Sequence, residues 1–123
     1  MVILDSCILI EIQRINREII NKIYTFEQKD LYITPVVVAE FYRGARNKNE
    51  FAQCQKLVKK FSVLSLTHEV TLIFDTLFEK YSLSHRPAVP DMLIAAAALH
   101  YRANLYTLNI KDFNFIEGLS LIT

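Results

Sequence analysis

Glycine is scarce: two residues in 123, against a hydrophobic fraction of 52%. A chain that apolar and that poor in glycine is not a disordered or linker-like polymer. Cysteine is nearly absent as well. Cys7 and Cys54 have no metal-ligand spacing and form no secreted disulfide framework, so both read as small buried hydrophobes. A charge of one sign is missing too. Fourteen Lys and Arg against thirteen Asp and Glu leave a formal net charge of +1. A protein that lived on nucleic-acid electrostatics alone is usually far more basic. The balance neither proves nor excludes an RNA substrate, since a small site touching a few phosphates needs only a local cluster. No stretch approaches the ~20 apolar residues of a membrane-spanning helix. The apolar start, Met1 to Ile12, is broken by Asp5 and lacks both a basic region and a small-residue cleavage site, unlike a signal peptide. The three histidines, His68, His85 and His100, show no zinc-ligand spacing and read as surface or core residues. The expectation is a cytoplasmic globular protein with one domain over 1–123, long enough to bury a core without staples.

Strands and helices alternate along the chain. Val2-Ile3-Leu4 is a continuous apolar run ending at Asp5, as suits a strand buried on both faces. Helical spacing follows at Ile8, Leu9, Ile12 and Ile15, with Ser6 as the expected N-cap. It continues at Ile19, Ile20, Ile23 and Tyr24 in a second helix. Leu31 to Thr34 reads as a strand, and Pro35 opens a helix reaching Arg46. Glu50 to Lys60 is again helical. Ser62 to Leu66 reads as a third strand, and Thr67 caps a long helix through Tyr81. His85 to Pro90 reads as a loop, Asp91 to Arg102 as an alanine-rich helix, and Leu105 to Thr107 and Leu119 to Ile122 as short strands. This alternation predicts an α/β fold with a parallel sheet covered on both faces. Such sheets bind ligands beyond the carboxyl ends of their strands.

That rule selects the polar residues. Asp5 closes the first apolar strand, where a carboxylate is costly to desolvate unless paired or metal-bound. It is equally well read as an aspartate stabilised by a helix dipole. Glu40 is an acid within an otherwise apolar segment, Val36 to Phe41. Asp91 opens the alanine-rich helix, as an N-cap or first-turn acid or as a ligand. Asn109 and Asp112 follow the strand that ends at Thr107, as turn residues or as oxygen ligands. Oxygen ligands from separate strand and helix ends suit Mg²⁺ or Mn²⁺. The spacing is not local, so only the fold can bring these residues together.

Four segments, in order, resemble the PIN domain, and in particular the VapC toxins of toxin–antitoxin pairs. They are Val2-Ile3-Leu4-Asp5-Ser6, the stretch Ala39-Glu40-Phe41-Tyr42-Arg43-Gly44-Ala45, the helix start Pro90-Asp91-Met92-Leu93-Ile94-Ala95-Ala96, and Leu105-Tyr106-Thr107-Leu108-Asn109-Ile110-Lys111-Asp112-Phe113. The resemblance implies a three-layer α/β/α sandwich around a parallel sheet of four or five strands. It implies hydrolysis of RNA phosphodiesters with Mg²⁺ or Mn²⁺, with Asp5, Glu40 and Asp91 as the acidic core. The family's fourth acidic position falls at Asn109, an amide here, with Asp112 one turn away. Cys7 stands where the family often has Asn. Ser6 and Thr107 match supporting positions. Arg43, three residues after Glu40, with Arg86 and Lys111, are candidates to contact RNA, and each is also explained as ordinary surface charge.

The resemblance further implies a homodimer and a VapB-type antitoxin whose tail enters a groove beside the site. The apolar residues from Ile8 to Tyr24 are candidates for that groove, and most of them are as well explained by packing on the sheet. A non-catalytic PIN-like domain that binds RNA or protein is the competing expectation, motivated by Asn109 and Cys7. A phosphatase or receiver using Asp5 as a phosphorylated group fits poorly. The phosphatase pattern needs a second Asp two residues later, where Cys7 stands.

Overall fold

The computed structural model describes residues 1–122. Five strands form one parallel sheet in the order β3-β2-β1-β4-β5. They are β1 (Val2–Leu4), β2 (Leu31–Ile33), β3 (Ser62–Val63), β4 (Asn104–Tyr106) and β5 (Leu121–Ile122). Helices α1 (Ser6–Gln13) and α2 (Arg17–Ile23) link β1 to β2, and α3 (Pro35–Arg43) and α4 (Lys48–Val58) link β2 to β3. Helices α5 (His68–His85) and α6 (Val89–Tyr101) cross back to β4.

The order of the strands fixes where a site can form. From β1 the chain steps outward to β2 and β3, then returns to pair β4 on the other side of β1. Parallel crossovers are right-handed, so reversing the direction of travel moves the connecting helices to the opposite face of the sheet. In agreement, α1 packs on α2, α3 and α4, while α5 packs on α6. The reversal opens a crevice at the carboxyl end of β1, where α3 and α6 also meet.

Each element has a local cause. Val2, Ile3 and Leu4 are all buried, as a central strand flanked on both sides requires. Thr34 caps α3 by accepting the Val37 N–H at 3.3 Å, and Pro35 enters the first turn, where no N–H is needed. Ala95 to Ala98 are buried to within 1%. Their small side chains let α6 lie close to the elements around it.

Several boundaries differ from the sequence reading. Asp5, not Ser6, caps α1, because its carboxylate accepts the Ser6 N–H at 2.8 Å. Ile15 does not extend the apolar face of α1. The helix ends at Gln13, and Ile15 is 62% exposed with φ 59°, in a turn set by Asn16, which caps α2. The third strand shrinks to two residues at the sheet edge, although Leu64 still donates its N–H to the Ile33 carbonyl at 2.8 Å. The expected loop from His85 to Pro90 contracts to Arg86, Pro87 and Ala88, since α5 runs through His85 and Pro90 lies in the first turn of α6. Asp91 is therefore a first-turn acid of α6, the second of its expected places, and not the N-cap. Ala88 holds that position, with no side-chain cap bond. No helix among the described residues is long and apolar enough to cross a membrane.

Candidate active site

Asp5 leaves β1 at the centre of the sheet and is only 3% exposed. Desolvating a carboxylate this far must be offset by hydrogen bonds or charge. One oxygen, Oδ1, accepts the Ser6 N–H at 2.8 Å. The other, Oδ2, accepts the hydroxyl of Thr107 at 2.7 Å. Thr107 follows β4 and is fully buried. Its oxygen also accepts the Asn109 N–H at 3.0 Å. The single Thr107 proton is thus committed to Asp5. The Cys7 thiol, 3.7 Å from both Asp5 Oδ2 and Thr107 Oγ1, is left as the donor in either contact. Cys7 Sγ in turn accepts the Leu108 N–H at 3.4 Å. This network joins the ends of β1 and β4 and fixes the orientation of Asp5. Burial, followed by the Asp5 charge, pushes the Cys7 thiol up, so it stays protonated as a donor. Of the two cysteines expected to be small buried hydrophobes, Cys54 is buried in the core and Cys7 is half-buried beside Asp5.

Glu40 comes from α3. Its Oε1 is buried without a hydrogen-bond partner. Burial raises the Glu40 carboxyl above its ordinary range and the Asp5 charge raises it further, with the Ser6 side chain offsetting part of this. Asp91 comes from the first turn of α6. Burial, then the charges of Asp5, Asp112 and Glu40, push its carboxyl up to about 6. Four acids from four separate parts of the sequence therefore act on one another at the crevice. Asp112 is exposed, shares a cleft with Asp91 and acts on it through its charge, and Asn109, also exposed, is uncharged.

The donor set fits a hard divalent cation. All donors are oxygens, their mutual repulsion is relieved by positive charge, and Glu40 Oε1 lacks any other partner. Among the described residues no three His, Cys, Asp or Glu side chains are already drawn together tightly enough to hold an ion directly.

Arg43 lines a cleft of about 420 Å³ with Glu40, Val36, Leu66 and Pro90. Arg86 and Lys111 line a second cleft, of about 320 Å³, with Asp91 and Asp112. Each candidate basic residue thus accompanies a candidate acid. Sequence reasoning missed His85 and Phe115, which share the second cleft. They are thirty positions apart, and no periodicity or motif connects them.

The sequence model of the PIN domain matches residues 2–116. Ribonuclease VapC1 of Rickettsia felis is 29% identical over 132 aligned positions, covering 98% of this chain and 94% of the relative. A toxin–antitoxin complex from Klebsiella pneumoniae contains a chain that superposes with a TM-score of 0.83 at 23% identity, covering 100% of this chain and 97% of the other. VapBC2 from Rickettsia felis, bound to a DNA fragment from its promoter, gives 0.87 at 22% identity, over 99% and 98%. With the parallel five-stranded sheet and the acids at its crevice, these likenesses agree on one conclusion: the chain belongs to the PIN domain family and is VapC-like.

Proposed function

We propose that the chain is a divalent-metal-dependent endoribonuclease and the toxin of a VapBC-type pair. The observation that carries this reading is that Asp5, Glu40 and Asp91, far apart in sequence, act on one another beyond the end of β1, where burial and like charge raise the Glu40 and Asp91 carboxyls. Groups perturbed in this way by burial and like charge cluster at functional sites. When bound, Mg²⁺ or Mn²⁺ would make a water more acidic and neutralise charge developing on the phosphoryl oxygens. Asp5, Glu40 and Asp91 would hold the cation, with Asp112 supporting in preference to Asn109. Thr107 and Ser6 orient Asp5. Arg43, Arg86 and Lys111 line the clefts that an RNA backbone would follow.

Toxin–antitoxin complexes among the fold neighbours support an antitoxin as partner. That it is of VapB type and that the toxin is a homodimer rest on the family resemblance. A groove of about 470 Å³ between α1, α3 and α4, lined by Ile10, Gln13, Phe41, Ala45 and Cys54, is our candidate for the antitoxin's seat.

The test is cleavage of total cellular RNA with Mg²⁺ or Mn²⁺, wild type beside Asp5→Asn, with an EDTA control. Cleavage that needs both metal and Asp5 supports the proposal. A folded wild type that neither cuts RNA nor binds either metal favours instead a non-catalytic RNA- or protein-binding PIN-like domain, the reading that the amide at Asn109 motivates.

A further inference from the structure

The cleft beside Asp91 contains an aromatic pair that the proposed hydrolysis does not use. The His85 imidazole stacks on the Phe115 ring with centroids 4.1 Å apart and planes 14° from parallel. Tyr81 meets both rings edge-on, at 5.6 Å from His85 and 5.1 Å from Phe115. Ser84 Oγ lies 2.7 Å from His85 Nδ1. Tyr81 is itself buried, and its hydroxyl accepts the Glu117 N–H at 3.1 Å. An exposed histidine is therefore held in one orientation by three contacts, on a support anchored in the core. One face lies on Phe115, and the residue is exposed to solvent.

A fixed, flat, exposed ring has already lost the freedom that a mobile side chain would lose on binding. Two cations accompany it in the same cleft. Arg86 follows His85 directly, in the left-handed conformation that ends α5, and Lys111 comes from the turn after β4. Proteins that bind single-stranded nucleic acid pair this kind of stacking surface, which accepts any base, with cations that follow the backbone. Asp91 and Asp112 line the same cleft, so a nucleotide seated there adjoins the acids.

We infer that the His85–Phe115 stack is a nucleobase platform for single-stranded RNA, with Arg86 and Lys111 holding the phosphate next to that base. The inference rests on the nuclease reading above and assigns the position of one nucleotide relative to the acids. His85 positions substrate and takes no part in the chemistry.

The experiment measures binding of a short fluorescein-labelled oligoribonucleotide of mixed sequence by anisotropy, in the Asp5→Asn background so that the probe is not cut. An otherwise identical abasic backbone serves as the second probe. His85→Ala is expected to weaken binding of the base-containing probe by about tenfold, the order of one lost stacking contact. His85→Phe restores it, and the abasic probe is indifferent to both changes. Arg86→Gln and Lys111→Gln weaken both probes and flatten the salt dependence. Equal binding by His85→Ala and its parent overturns the platform while leaving the nuclease reading intact. So does an equal loss on both probes, which would make the role of His85 electrostatic or structural. A wild type that neither binds nor cuts RNA overturns the nuclease reading and the platform together.

Discussion

Thr107 Oγ1 donates a 2.7 Å hydrogen bond to Oδ2 of Asp5, across 102 positions of sequence. It gives a buried carboxylate one of its two short hydrogen bonds and ties β4 to β1 at the mouth of the crevice. Thr107→Val keeps the shape and removes the donor. A hydrogen bond to a charged group contributes roughly 1.5–3 kcal/mol. Urea denaturation is expected to show a loss of about that size for Thr107→Val and much less for Thr107→Ser. A Val variant as stable as wild type would mean that Asp5 obtains its stabilisation elsewhere.

The raised carboxyl of Asp91 predicts an unusual pH dependence in the metal-free protein. Folding raises this group from its ordinary 3.8 to about 6. Protonation is therefore favoured by the folded state, and the stability it contributes is fully present below 3.8 and lost as pH rises through about 6. Glu40 is shifted in the same direction. With EDTA present, Tm is expected to fall between about pH 5 and about pH 7 for this pair of acids, more steeply in wild type than in Asp91→Asn. Mg²⁺ or Mn²⁺ should recover much of the loss at neutral pH by offsetting the repulsion. Identical pH profiles for wild type and Asp91→Asn would remove the argument for a strained acidic group.

Asp91→Asn should also separate stability from activity. Removing the charge relieves its repulsion with Asp5, Asp112 and Glu40, so the metal-free variant is expected to melt higher than wild type at neutral pH. The same change should abolish metal-dependent RNA cleavage. Such opposed effects are common where function requires an unfavourable arrangement of charge. A variant that melts lower and still cuts RNA would contradict both halves of the prediction.

The buried alanines of α6 leave no room for growth. Ala96 is 0% exposed, and inserting a larger apolar side chain into a packed interior costs typically 1–3 kcal/mol. Ala96→Leu is expected to lose about that much in urea denaturation, and to weaken the site by displacing Asp91. Full stability would mean that α6 can move away from its neighbours without cost.

Arg102 ends α6 with φ 55° and ψ 42°, a left-handed conformation that favours glycine. Arg102→Gly is expected to raise stability by roughly 0.5–1 kcal/mol, the steric relief exceeding the added flexibility of the unfolded chain. A fall in Tm on this change would show that the Arg102 side chain contributes more than its backbone conformation costs.

Much of this protein was determined by local sequence. The apolar run Val2 to Leu4 is a central strand, and a strand covered on both faces buries consecutive apolar residues. Thr34 with Pro35, and Thr67, specify helix starts through capping chemistry confined to one turn. The four motif segments likewise named Asp5, Glu40 and Asp91 as a group. The cap of α1 and the turn at Ile15 were also set locally, by Asp5 and Asn16, against the reading made from periodicity. How the acids interact follows from side chains distant in sequence, as do the hydrogen bond from Thr107 to Asp5, the raised carboxyl of Asp91, the cleft that Asp112 shares with Asp91, and the stacking of His85 on Phe115. Strand order is the physical reason. It reverses at β1 and brings the ends of β1 and β4 and the helices α3 and α6 to one crevice, a convergence that no periodicity along the chain encodes.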